Sequence, residues 1–375
     1  MENCVIIDGL RTPIGIKKGQ LAGIRADDLC AQLLNALMER NPQIEKEEVE
    51  DIVLGCAFPE HTQGMLMGRA VGLLAGFPQT TCGKVVNRFC GSSMDAVLQV
   101  SNSIKLKDIN CAIAVGVEDM ISIPIGGFNP SFHPDLLKIG YYMGMGETAE
   151  NLAKELNISR EEQEEFSIES HKKSLKAWAE GKFKDEVIPI NYNGKIIEKD
   201  EGPKEPDIEK IKSLEPAFLK DGTITAATSS PISIGAAALI LSSEKFAKEH
   251  NLKVRAYVAG GAIAGVDPKL MGSGPIPASE ALLKKLNLKE KDIDFIELNE
   301  AFAAQSLYVL KKTGWDRMKV NVNGGAIALG HPLGASGARI LVTLLNLLEK
   351  NNGKRGLATM CIGTGMGIAT IIERG

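Results

Sequence analysis

At 375 residues, 44% hydrophobic and 24% charged, the chain is long and apolar enough to bury a large core and to form two or more domains of ordinary size. A net charge of -4 supplies no global basic field, which argues against nucleic acid as a principal partner and leaves any anionic ligand to be held by local groups. With no basic leader and no apolar run of about 18 residues, the expectation is a cytoplasmic protein without membrane insertion.

Met1 to Asp8 enters a strand directly. Glu45 to Gly55 is a charged lead-in followed by an apolar strand, and Cys56 just beyond it reads as a core residue, as does Cys111 in Cys111-Ala-Ile-Ala-Val-Gly-Val. Between them, Val85 to Phe89 reads as a buried strand that stops at Cys90-Gly-Ser-Ser, after which Met94, Val97, Leu98 and Ser101 recur at helical spacing. Cys90 is thereby expected near a helix N-terminus. Unpaired N–H groups and the macrodipole favour negative charge there, so its thiol is expected below the ordinary value of about 8.5. A buried structural cysteine is the competing reading. The seven cysteines are odd in number, widely spaced and free of any C-x-x-C pair, which argues against a disulfide framework and against a zinc site. Five read as fillers of strands and helices, whereas Cys90 and Cys361 stand among glycines and small residues.

From about 119 to 228 the composition changes, and this stretch reads as an insertion carrying binding loops. Ile123 to Pro134 is loop-like; Ser159 and Glu162 form a capping-box pattern that starts a helix running through Trp178, charged on most faces and expected to lie in solvent. Gly194 to Pro216 is polar and reads as a surface excursion. Leu288 to Leu298 then echoes Glu45 to Gly55, Val320 to Asn323 echoes the strand before Cys90, and Gly356 to Cys361 echoes Cys111 to Val117. Self-similarity at so long a period points to two duplicated βαβ-rich halves rather than a solenoid, with Cys90 and His331 at equivalent strand-to-helix corners.

In the second half, Asn299-Glu-Ala-Phe302 follows a strand and reads either as a helix cap led by Asn299 or as an active-site group. The glycine-rich run Asn323 to Arg339 lets backbone approach a ligand, and Pro332 suits the first turn of a helix continuing through Ile340, Leu341, Leu344 and Leu345. His331 then lies at a positive helix end, which favours the neutral imidazole. Cys361-Ile-Gly-Thr-Gly-Met-Gly367 has the look of a dinucleotide loop, but a strand follows it, so a glycine loop joining two strands and displaying a thiol describes it better.

Arg11-Thr-Pro-Ile-Gly15, Asn87-Arg-Phe-Cys-Gly-Ser-Ser93, Gly116-Val-Glu-Asp-Met120, Asp267 to Pro275, Asn299-Glu-Ala-Phe302, Gly330-His-Pro332 and Cys361-Ile-Gly363 together resemble the thiolase family nearly end to end. The resemblance implies an α/β fold of two duplicated halves in a layered α/β/α/β/α arrangement. The N-terminal half, 1–250, carries the nucleophile and the inserted loops; the C-terminal half, 251–375, carries Asn299, His331 and Cys361. It implies an acetyl-CoA C-acyltransferase in which Cys90 is acylated, His331 takes its proton and Cys361 is the second acid/base. Asn299 and His331 would form one oxyanion hole, and the backbone N–H groups of Cys90 and Gly363 the other. Ser230, Met271 and Phe302 are the implied substrate-binding residues; no metal is needed, and coenzyme A is a co-substrate rather than a bound cofactor.

The implied partners are acyl-CoA and CoA, a second copy or three further copies of the chain, and an enzyme of β-oxidation. Thiolytic cleavage of 3-ketoacyl-CoA is the favoured direction. Acetyl-CoA condensation is the alternative, and a non-catalytic acyl-CoA carrier the reading from another class; ketoacyl synthases of the same fold would lack Cys361. Ile234, where the family usually has aspartate, and Glu215, where a basic residue is common, put individual CoA contacts in doubt.

Overall fold

A computed structural model describes residues 2–375. Strands β1 (Cys4–Arg11), β2 (Asp51–Gly55), β3 (Cys82–Val86), β4 (Cys111–Asp119), β5 (Ser233–Ser243), β6 (Ala256–Gly265), β7 (Phe295–Leu298), β8 (Arg355–Ile362) and β9 (Met366–Glu373) form one mixed sheet in the order β7-β8-β9-β6-β1-β5-β4-β2-β3. Its midline is the antiparallel pair β1 and β6, joined at Val5 with Tyr257 and Ile6 with Ala256. Outward from β1 the pairings run antiparallel to β5, antiparallel to β4, parallel to β2 and parallel to β3. Outward from β6 they run antiparallel to β9, antiparallel to β8, parallel to β7, with a parallel bridge from Ile296 to Val320. The same series therefore occurs twice, with β2 opposite β7, β3 opposite Val320 and β4 opposite β8, the correspondence expected from the internal echo.

Strand alternation sends neighbouring side chains to opposite faces. Val5, Ile7, Ile52, Leu54 and Val115 pack under helices α1 (Ala26–Arg40) and α2 (Met67–Leu74). Ile6, Val53, Ala114, Leu239, Met360 and Ile368 face a central layer of α3 (Ser92–Leu106) and α8 (Leu333–Lys350). Leu298, Leu357 and Ile371 face the outer helices α4 (Met145–Glu155), α6 (Pro275–Lys285) and α7 (Ala303–Thr313). Three cores separated by sheet give the layered arrangement. Helix α8 is buried on every face from Leu333 to Leu348, because it lies between the two halves and packs on α3.

Four local expectations need correction. The strand before Cys90 ends at Val86, not Phe89, because Asn87 Oδ1 captures the Phe89 N–H and Phe89 adopts φ +42°. The helix after Ser159, α5 (Arg160–Ala179), does start with the Ser159/Glu162 capping box, but it is not solvated all round: Gln163, Ser167, Ser170 and Ser174 are buried. A stripe of small polar residues carries no apolar periodicity. The surface excursion 194–216 is largely exposed, yet Asp200 turns inward to bind Arg11 through Nη1 and Nη2 at 2.7 and 2.9 Å, with Glu186 on Nε at 2.8 Å. Cys82 is no filler; it is exposed at the start of edge strand β3.

Candidate active site

Between β3 and α3 the chain makes a tight turn secured by three side-chain contacts. Asn87 Oδ1 accepts the Phe89 N–H at 2.9 Å and Asn87 Nδ2 donates to the Ala57 carbonyl at 2.9 Å, while Ser92 Oγ donates to the Phe89 carbonyl at 2.6 Å. The left-handed backbone of Phe89 costs a side-chain-bearing residue about 1–3 kcal/mol, and these bonds hold it. Cys90 comes next, half-buried, followed by Gly91 as N-cap of α3. A Cβ on Gly91 would lie 2.7 Å from Ile362 Cδ1, so this turn sits directly on the end of β8. It also packs against α8, the helix that follows His331.

The expected low thiol pKa is not found. Burial among protein atoms pushes the Cys90 thiol up to about 11, outweighing the N–H groups of Gly363 and of Cys90 itself that face the sulfur and pull it down. A helix start stabilises a thiolate only while the sulfur stays solvated, and here desolvation wins.

His331 precedes Pro332, which is the N-cap of α8 rather than its first helical residue. The His331 backbone N–H donates to Ser233 Oγ at 3.2 Å, and ring Nδ1 lies 2.6 Å from Ser336 Oγ. Since the Ser336 hydroxyl donates to the Pro332 carbonyl at 2.9 Å, it accepts from Nδ1–H, and Nε2 keeps its lone pair. Burial first, then the Arg339 guanidinium, push His331 down to about 3. The imidazole is neutral as expected, for a different dominant reason.

Asn299 does not cap a helix; the N-cap of α7 is Phe302. Its backbone N–H donates to the Thr359 carbonyl at 3.0 Å, which fixes it on β8 two residues before Cys361. Its amide Nδ2 lies 3.4 Å from both ring nitrogens of His331, beside the ring rather than committed to either nitrogen. Asn299 Oδ1 is buried without a hydrogen-bond partner among the described residues. Its neighbour Glu300 accepts from Ser170 Oγ at 2.7 Å, Asn321 Nδ2 at 2.8 Å and the Ile327 N–H at 3.3 Å, bracing the segment that leads to His331. Any Cβ on Gly325 would sit 2.2 Å from the Glu300 carboxyl carbon, so glycine is required there.

Cys361 is the penultimate residue of β8, opposite Gly367, and is fully buried; burial, and then the neighbouring Cys90, raise its thiol. The turn after it, through Gly363, Thr364 and Gly365, brings the Gly363 N–H to Cys90 and is the strand-joining glycine loop expected. Met271, Phe302 and Cys361 belong to one apolar cluster, and the Ser230 N–H donates to the Ala301 carbonyl at 3.0 Å. The structure thus brings Cys90 to Cys361 and Gly363, Asn299 to His331, and the Ser230 backbone to Ala301 beside Phe302. Asn87, Ser92 and Ser336 carry structural duties that sequence reasoning did not assign; small polar residues beside glycines offer no periodic signal. Among the described residues no cluster of three or more His, Cys, Asp or Glu side chains is arranged to hold a metal ion.

Comparison with known proteins converges on one family. Residues 4–245 match the family described as "Thiolase, N-terminal domain" and residues 252–374 the "Thiolase, C-terminal domain". Proteins named 3-ketoacyl-CoA thiolase from Idiomarina loihiensis and Photobacterium profundum are each 46% identical over 388 residues, covering 100% of both chains. The crystal structure of the Bacillus anthracis acetyl-CoA acetyltransferase superposes with a TM-score of 0.91 at 38% identity, covering 100% of this chain and 99% of that one.

Proposed function

This chain belongs to the thiolase family, and from that premise we propose that it cleaves 3-ketoacyl-CoA with CoA to acetyl-CoA and a shortened acyl-CoA, through an acyl-enzyme on Cys90. The observation that carries the reading is the placement of Cys90 under the Gly363 N–H and beside Cys361, in a chain so similar over its whole length to 3-ketoacyl-CoA thiolases.

His331 Nε2 takes the Cys90 proton as sulfur attacks the 3-keto carbon. The C2–C3 bond breaks, and the leaving acetyl-CoA carbanion takes a proton from the Cys361 thiol. Cys361 then removes the proton of the incoming CoA thiol, whose sulfur attacks the acyl carbonyl; Cys90 leaves as thiolate and recovers its proton from His331. Such a ping-pong scheme needs one nucleophile and two proton carriers, which two thiols and one neutral imidazole supply. The Asn299 amide, acting through a water held at its open Oδ1, stabilises one oxyanion together with His331. The N–H groups of Cys90 and Gly363 stabilise the other, each donor being worth about 10²–10³ in kcat. Ser230, Met271 and Phe302 line the substrate side.

Condensation of two acetyl-CoA is the second reading, favoured by likeness to the Bacillus anthracis acetyl-CoA acetyltransferase. We place the division between the halves near residue 250, and the working form as a homodimer or homotetramer in the cytoplasm, serving fatty acid β-oxidation alongside a partner enzyme of that route. Edge strand β3 leaves one side unpaired, and Leu73 and Leu74 on α2 are 46% and 55% exposed, surface that a second copy would cover. A thiolysis assay across acetoacetyl-CoA and longer 3-ketoacyl-CoA substrates tests the reading: CoA-dependent loss of substrate is expected, and its absence with every chain length would overturn it.

A further inference from the structure

Glu118 on β4 is buried at 1% exposure and no catalytic role above uses it. Its Oε2 accepts the Ala57 N–H at 2.7 Å and the Gly334 N–H at 2.8 Å; its Oε1 accepts the Phe58 N–H at 3.1 Å, Gln63 Nε2 at 3.0 Å and the Cys56 thiol at 3.6 Å. All five neighbours donate and none accepts. Burial pushes the Glu118 carboxyl above its ordinary range, and the N–H groups of Ala57, Gly334 and Phe58 and the Gln63 amide pull it back down; with every neighbour donating, a proton on the carboxyl would find no acceptor, and this geometry favours the carboxylate.

The position of this charge matters because of where its donors lead. Ala57, held through its N–H, presents its carbonyl to Asn87 Nδ2, and Asn87 Oδ1 in turn fixes the Phe89 N–H, the residue whose left-handed backbone aims Cys90. Gly334, whose N–H is held by the same oxygen, lies three residues after His331 in the first turn of α8. One carboxylate is therefore bonded into the nucleophile turn of one half and into the histidine corner of the other. Packing leaves no slack at this joint: a Cβ on Gly334 would lie 2.7 Å from Cys56 Cα and from Glu118 Oε2, and one on Gly116 would lie 2.3 Å from the Gly334 carbonyl. Ser93 Oγ adds a second tie by accepting the Ala338 N–H at 2.8 Å.

We propose that Glu118 is a positioning residue that registers Cys90 against His331 across the two halves and sets the negative field under the nucleophile. The proposal rests on the thiolase reading for its kinetic consequence. The titratable groups around Cys90 include Cys361 from β8 and Glu118 from β4, besides the His331 to which the mechanism passes its proton.

The test compares full-length wild type, Glu118→Gln and Glu118→Asp, with folding checked by thermal melting, using acetoacetyl-CoA thiolysis and mass-spectrometric rates of iodoacetamide labelling at Cys90. Glutamine keeps the size but turns an N–H toward backbone donors and removes the charge; aspartate keeps the charge but is one carbon too short to hold Ala57 and Gly334 together. Both are expected to lose about 10²-fold in kcat with KM little changed, since a displacement of about 1 Å at reacting groups has that cost. Labelling of Cys90 at fixed alkaline pH is expected to quicken several-fold in Glu118→Gln only, because only that change removes a neighbouring negative charge. Should glutamine prevent folding, the aspartate variant decides by its kcat. Wild-type kcat in either variant, or equal labelling of Cys90 in both, would overturn the proposal. A wild type inert toward every 3-ketoacyl-CoA would instead sink the thiolase reading, leaving the labelling comparison to judge Glu118.

Discussion

The resting state of the catalytic pair can be tested by titrating the reactivity of Cys90. With its thiol pushed up to about 11 by burial and His331 pushed down to about 3, the free enzyme holds a neutral thiol and a neutral imidazole rather than a thiolate–imidazolium pair. At pH 8 a thiol of that strength is about 10⁻³ ionised, so proton transfer to His331 Nε2 is uphill and must coincide with attack on the substrate carbonyl. The perturbation is pH itself. The rate of iodoacetamide labelling at Cys90, followed by mass spectrometry with exposed Cys82 on the same molecule as a reference, is expected to climb about tenfold per pH unit from 7 to 9 with no plateau. An acyl-CoA donor, which brings its own carbonyl under the Gly363 N–H, is expected to react with Cys90 at pH 7 where iodoacetamide is slow. A labelling rate already flat above pH 6 would mean a stable ion pair and refute the argument that desolvation outweighs the amide donors.

Cys90→Ala is expected to abolish both acyl-enzyme formation and turnover, whereas Cys361→Ala should accept an acyl group and then stall; intact-mass analysis after mixing with substrate separates the two, and normal turnover by Cys361→Ala would remove that residue from the mechanism. Ser336→Ala deprives Nδ1–H of its acceptor, a loss of about 1–3 kcal/mol, so kcat should fall about tenfold or more with KM nearly unchanged. An unaltered kcat would show that Ser336 does not select the tautomer. His171 and His331 are pushed down to about 4 and about 3, chiefly by burial, so both stay neutral in the fold and protonate near 6.5 once unfolded. Their contribution is complete above pH 6.5 and is lost as pH falls toward the folded values, about 2 kcal/mol for each between pH 7 and 5. In urea titrations His171→Gln should flatten that decline by about 2 kcal/mol, and curves that decline in parallel would contradict the assignment.

Motif residues and their order along the chain were enough to point to the family and to the principal chemical groups. Glycine and small residues around Cys90, His331 and Cys361 mark places where backbone must come close to something, and that requirement is local. The long-period echo likewise foretold a repeated α/β unit, because strand and helix periodicities are written in short stretches of chain. What local pattern cannot carry is the environment of an atom. Asn299 reads as a helix cap by its neighbours, yet the β8 carbonyl of Thr359 claims its N–H and the actual N-cap, Phe302, lies three residues later. The serines of α5 read as a wet surface, yet they pack against the segment before His331.

The largest gap between sequence and structure concerns charge. A cysteine before a helix promised an easily ionised thiol, and only the folding of two halves onto each other, with β8 and α8 closing over the turn, decided that the thiol stays protonated. Likewise nothing near Glu118 in the sequence announces that its carboxylate ties Ala57 of one half to Gly334 of the other. Residue identity is inherited along the chain, whereas desolvation and the field at an atom are sums over neighbours that the chain brings together from far apart. The sequence alone therefore named which groups could react, and the tertiary structure determined their protonation states and the bonds that aim them.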